Sequence, residues 1–180
     1  MPSRLAMSVL AFLLVFPSGM ALAQDAGTAA PTESHAVAGD LEKVASDGKS
    51  ITVKTADGTE EVFKVSGKGA LKGTTEGSHV VVHYTDVGGE KTASAVKDAG
   101  KGTWKATEGT MTAVSKGGRD VTVKMADGTE KTVHLGKEAV VESSHGAVDA
   151  SKYTAKAGEK VAVYSTVEPG KEVVRVFKRL

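Results

Sequence analysis

The chain has 180 residues, with 23 lysines and arginines against 22 aspartates and glutamates, and no cysteine. That balance leaves no electrostatic footprint for nucleic acid or for an anionic membrane, and zinc–thiolate sites and thiol catalysis are excluded. Aromatics make up only 4%, and the apolar content is mostly Val and Ala, which suits thin β-barrels better than one large core.

Residues 1–23 read as a signal peptide. Arg4 supplies a positive start, Leu5 to Phe16 an apolar run too short for a membrane span, and Ala21-Leu22-Ala23 a small-x-small cleavage site. Its removal takes away one charge, Arg4, and leaves a neutral mature chain with no apolar run long enough for a transmembrane anchor. The expected location is therefore periplasmic or secreted. Residues 24–38 are rich in Ala, Thr, Pro, Ser and Gly without periodicity, and read as a disordered tether.

Residues 39–98 form the first predicted β unit. Leu41 to Ser46 is a strand turned by Asp47-Gly48. Ile51, Val53 and Thr55 alternate with Thr52 and Lys54, as in a half-buried strand. Asp57-Gly58 turns again, and Phe63 and Val65 face inward on the third strand. A glycine-containing connection, Gly67 to Gly77, leads to Val80-Val81-Val82, apolar on both faces. Gly88-Gly89 then makes a hairpin to the fifth strand. The Leu41-to-Val44 spacing breaks strict alternation and predicts a bulge in the first strand.

The unit occurs twice. Val53-Lys54-Thr55-Ala56-Asp57-Gly58-Thr59-Glu60 returns as Val123-Lys124-Met125-Ala126-Asp127-Gly128-Thr129-Glu130, a hairpin signal repeated nearly intact. A shift of 70 places Gly39 on Gly109 and Ile51 on Val121; after the third strand the shift becomes 81, placing Val82 on Val163. Residues 109–180 are thus a second β unit with an 11-residue insertion near 143–157, and residues 99–108 are the linker. The fold class expected is all-β, two tandem five-stranded barrels. The strand order suits an OB-type barrel, with an SH3-like barrel as the alternative.

The pattern Gly-x-(Leu/Met)-x-x-Val, Ile/Val-Thr-Val-Lys, Ala-Asp-Gly-Thr and Gly-x-x-Val-x-Val resembles the small OB-like domains of secreted bacterial proteins. That resemblance covers both repeats and implies a fold without specifying chemistry. The barrel is also similar to the periplasmic copper- and silver-binding chaperones, whose Cu(I) site would imply soft ligands such as Met111, Met125 and His134 beside Trp104. The family's Trp-x-x-Met-x-Met cluster is absent. Met125 is expected on the inward face with Val121 and Val123, His134 on the outward face, and Met111 in the core.

The remaining candidates are binding residues. Trp104, the one tryptophan, is read either as an exposed stacking platform or as a plug between the barrels, and the plug is favoured. The insertion carries His145, Asp149 and Tyr153, on the kind of long connection that often bears recognition, although it also suits a barrel cap. His79 and His83 share a strand face too far apart for one metal ion.

Catalytic motifs are missing: there is no nucleophile elbow, zincin helix, phosphate loop or calcium loop. The expectation is an exported, non-catalytic, monomeric binding or adaptor module with no cofactor. Its partner would be an envelope protein or polysaccharide and not nucleic acid. The alternatives are a periplasmic copper carrier and a structural spacer.

Overall fold

A computed structural model describes residues 33–67, 69–136 and 138–180. The signal peptide and most of the expected tether lie outside them. The described chain is all-β, in two sheets that fall within one compact unit.

The first sheet contains β1 (Ser34–Val44), β2 (Ser50–Thr55), β3 (Glu60–Val65), β4 (His79–Val87) and β5 (Glu90–Asp98). It closes into a barrel in the order β1-β2-β3-β5-β4. β1 pairs with both β2 and β4, and β3 meets β5 in parallel through Lys64–Thr92 and Val65–Ala93. That is the OB order, so the SH3-like alternative falls. Closure removes the edges that so small a sheet would expose. The core is the predicted inward set: Leu41, Ile51, Val53, Phe63, Val80 and Val82 are buried, while Val62 on the alternate face is exposed.

The second sheet contains β6 (Thr103–Val114), β7 (Asp120–Lys124), β8 (Glu130–His134), β9 (Val140–Ser143), β10 (Gly146–Asp149), β11 (Lys160–Glu168) and β12 (Lys171–Arg179). Its order is β10-β9-β12-β11-β6-β7-β8, so that, unlike the first, this barrel is not closed by a ladder between its flanks among the described residues. Seven strands replace the expected five, because the insertion folds as the hairpin β9–β10. β9 pairs in parallel with β12 at Val140–Val176, while β8 lies beside β12 without a ladder. In the first barrel the described part of the shorter connection forms no strand and meets β5 through the Val96 N–H to Ala70 C=O bond. A longer connection has become a strand covering the same flank.

The two copies agree down to their irregularities. The register slips between Leu41 and Lys43 in β1 and between Met111 and Ala113 in β6, 70 residues on. It slips again between His83 and Tyr84 in β4 and between Tyr164 and Ser165 in β11, 81 residues on. Gly39 and Gly109 share one cause: a Cβ on either would lie 2.3 Å from the carbonyl oxygen of Lys54 or Lys124. β1 and β6 cross their neighbours too closely there for any side chain.

The boundaries differ from the sequence reading at two places. β1 begins at Ser34, inside the stretch read as tether, and β6 begins at Thr103, inside the stretch read as linker. In both cases the extra strand lies where the barrels meet. Ala36 and Ala38 of β1 and Val81 of β4 pack against Val140 of β9 and Val176 of β12, with Trp104 and Tyr164 partly buried beside them. Val81 explains the double-faced apolar run of β4: its neighbours fill the first barrel, and it fills the contact with the second. β2 does not reach Ser34–Ala38. The edge amide of Ala36 donates instead to Glu142 Oε2 at 2.7 Å, and His35 Nδ1 lies 3.2 Å from Glu142 Oε1.

Candidate functional site

The residues singled out in the sequence occupy separate places. Trp104 sits between the barrels, half-buried: its indole N–H donates to Asp40 Oδ1 at 2.8 Å, and its ring meets the His79 imidazole edge-on at 5.5 Å. His145 is exposed at the β9–β10 turn, with Nδ1 3.2 Å from Ser144 Oγ. Asp149 is exposed at the end of β10. Tyr153 packs on Phe177 at 6.1 Å and donates to Glu159 Oε2 at 2.8 Å. Burial, then Glu159, push its phenol pKa up. His145, Asp149 and Tyr153 are not linked by any described hydrogen bond; the hairpin that bears the first two presses on the first barrel, and Tyr153 follows it after a 3-10 turn, Ala150–Lys152. A Cβ on Gly146 would lie 2.7 Å from the Ser34 carbonyl oxygen.

Met111, Met125 and His134 are likewise dispersed. Met111 is buried in the second core. His134 is exposed and bonded through Nδ1 to Asp120 Oδ1 at 2.6 Å. Met125 departs from its expected inward position and lines an outer groove. The cause is local. Its counterpart Thr55 belongs to β2, because its hydroxyl bonds Asp57 and the Thr59 backbone. Methionine has no hydroxyl for those bonds, and β7 stops at Lys124.

That early stop opens the groove. In the first barrel Ala56 N–H donates to Ala38 C=O at 2.8 Å. No counterpart bond joins Ala126 to Glu108 among the described residues. The space left, about 330 Å³, is lined by Glu108, Gly109, Thr110, Lys124, Met125, Ala126, Lys160 and Leu180. It has an apolar floor from Met125, Ala126 and Leu180 and a charged rim from Lys124, Lys160 and Glu108. None of those three rim groups has an ion-pair partner among the described residues.

The repeat relation gives this groove a meaning that neither motif nor charge revealed. The shifts of 70 and 81 map it residue for residue onto the first barrel. Glu108 stands for Ala38, Thr110 for Asp40, Ala126 for Ala56, Lys160 for His79 and Leu180 for Ala99. Backbone bonds match as well: Ala99 N–H donates to His79 C=O, and Leu180 N–H to Lys160 C=O. In the first barrel this surface is covered. Ala38 is 2% and Ala99 1% exposed, and Trp104 is held by Asp40 and His79. In the second barrel it is open, with Leu180 63% exposed.

The covered copy shows how the seat holds its occupant. His79 Nε2–H donates to the Gly102 carbonyl at 2.6 Å, and Nδ1 bonds Asp40 Oδ1. Both neighbours are acceptors, so the protonated ring, which donates from both nitrogens, is the form this seat favours. Burial opposes that charge, but the bonds to Asp40 and Gly102 outweigh it and raise the His79 pKa above its ordinary 6.5. His83, on the same strand, behaves oppositely. Its Nε2 is buried with no partner among the described residues, and burial followed by Lys97 lowers its pKa.

No family model matches the chain, and no curated protein matches it. Eight chains of solved structures do match. One, titled "drosophila Unr CSD456", is 12% identical, with a TM-score of 0.32, over 83% of this chain and 63% of that one. The present chain spans less than two thirds of that chain's length.

Proposed function

We propose that the protein is an exported, non-catalytic binding module of the cell envelope, and that its receptor surface is the outer groove of the second barrel. One observation carries this reading: the same surface on the first barrel is a docking site already in use. A duplicated unit that buries this face against a neighbour in one copy and leaves it open in the other offers a vacant version of a tested interface. The short leader at residues 1–23 supports export. The Met-, Leu- and Ala-lined floor with a few rim charges suits recognition better than catalysis.

The test is a photo-activatable benzophenone residue placed at position 125, in the producing cell. A specific adduct at 125, absent when the probe sits at Thr59 on a remote turn, supports the reading. Equal labelling from both positions, or none, removes it. The copper-carrier reading has less support, since Met111, Met125 and His134 occupy a core, a groove and an exposed hydrogen bond to Asp120.

A further inference from the structure

We infer that the groove is the seat of a tryptophan side chain presented by an extended, acidic segment of a partner protein. The inference rests on the groove being the binding surface, and adds what fills it. The first argument is the internal template. The first-barrel counterparts of Thr110, Lys160, Glu108 and Leu180 are Asp40, His79, Ala38 and Ala99. Trp104 bonds Asp40, meets the His79 ring and packs, partly buried, against the cluster that holds Ala38 and Ala99, while Thr55 and Ala56, the counterparts of Met125 and Ala126, share a crevice with Tyr164, Val176 and Lys178. The molecule thus displays, in its own first barrel, the kind of side chain this surface accepts.

The substitutions in the open copy retain that preference. Thr110 keeps an oxygen where Asp40 accepts the indole N–H. Lys160 puts an ammonium where the first barrel has the His79 ring, and a cation over an indole face is the strongest of the cation–aromatic pairings. Met125 adds a thioether, which packs well against aromatic rings. Leu180 enlarges the apolar wall that Ala99 provides.

A second argument makes the occupant a polypeptide. On β1 the edge facing away from β4 is satisfied by Glu142 at the Ala36 N–H and by the Ala56 N–H at the Ala38 C=O. The equivalent edge of β6, the Ala106 N–H and Glu108 C=O, meets no such partner among the described residues. An extended segment can add its own backbone there, while every second side chain falls into the groove. The third argument is charge. Lys124 and Lys160 flank the floor without carboxylate partners, so acidic flanks on the tryptophan complete them. The groove also continues an established interface. Lys178 borders the crevice between the barrels, and with Leu180 it lines the depression beside it.

The experiment uses amide chemical shifts of the isotope-labelled chain and three synthetic peptides. The first is acetyl-Asp-Thr-Trp-Asp-Ala-Thr-amide, the second has Ala for Trp, and the third has Lys for both Asp. Saturable shifts at Thr110, Met125, Ala126, Lys160 and Leu180 are expected with the first. At least tenfold weaker binding is expected with each of the others. Ala126→Arg, which fills the groove from an exposed turn, should abolish the shifts while unfolding in urea as wild type does. Absence of saturable shifts at millimolar peptide overturns the inference, as does equal binding of the Ala peptide. A concentration-dependent dimer in sedimentation that Ala126→Arg abolishes also overturns it, by making a second copy the occupant. If the peptides fail while the position-125 adduct persists, the occupant is wrong and the binding surface stands. If both fail, the surface itself is wrong.

Discussion

Asp40 Oδ1 receives the Trp104 indole N–H at 2.8 Å across the boundary between two barrels, and Nδ1 of the His79 ring bonds the same oxygen. One carboxylate oxygen thus ties the start of the second unit to the first. Trp104→Phe keeps most of the ring packing and removes only the donor. A bond to a charged acceptor contributes about 1.5–3 kcal/mol net, and partial exposure places the loss at the lower end. Urea unfolding of Trp104→Phe, Asp40→Ala and the double variant measures the coupling, and additive losses would mean that the bond contributes nothing.

His79 makes that tie pH-dependent. Its folded pKa is raised above 6.5. Its contribution is therefore fully present below about 6.5 and fades as pH rises through the raised value. His79→Gln should flatten stability over this window. The check is a denaturant series at half-unit pH steps, and an unchanged slope in the variant contradicts the assignment.

His83 carries the opposite sign. Its folded pKa is lowered by burial and by Lys97, so its contribution is present above the ordinary histidine range and lost as pH falls toward the folded value. His83→Phe, which removes the unpartnered Nε2, should lessen acid destabilisation. Proton NMR titration of the imidazole gives a direct check, a midpoint at or above 6.5 being the contrary result.

Glu142 and Gly146 clamp the β9–β10 hairpin onto β1. Glu142→Ala leaves the Ala36 amide without its acceptor, a loss of about 1–3 kcal/mol. Gly146→Ala combines a φ of +91° with an impossible approach to Ser34. Both should raise amide exchange along Ser34–Ala38 while leaving Val53 and Val123 protected. Uniform loss of protection would show that the two barrels unfold as one.

Gly39→Ala and Gly109→Ala should behave as twins, each destabilising by about 1–3 kcal/mol through the forced approach to a carbonyl. Paired thermal melts decide it. One tolerated and one damaging substitution would show that the two crossings are not equivalent.

The alternation of Ile51, Val53 and Phe63, and its recurrence at Val121, Val123 and Val133, was legible because a half-buried strand has period two. The bulge after Leu41 showed as a broken spacing. What stayed hidden depends on the meeting of the two units. Ser34–Ala38 reads as tether because Ala36 and Ala38 are small residues, selected for a close contact rather than for apolar bulk. Thr103–Glu108 reads as linker because only Trp104 in it is large. The β9–β10 hairpin reads as a loop because four-residue strands carry too little periodicity. Met125 seemed inward by alternation, and only the missing hydroxyl of Thr55 explains why the strand ends before it. The groove had no motif at all, because it arises from a bond that fails to form.

The parallel pairing of β9 with β12 has a temporal corollary. A ribosome delivers Val140 well before Val176, and β9 has no ladder to join until its partner has emerged. The strands of the first barrel are all present once Asp98 is made, yet the Ala36–Val81 face then lacks Val140 and Val176, which cover it. A chain delivered from its N-terminus accordingly has the Ala36–Val81 side in place before the residues that cover it, so this contact is the last of the fold to be completed.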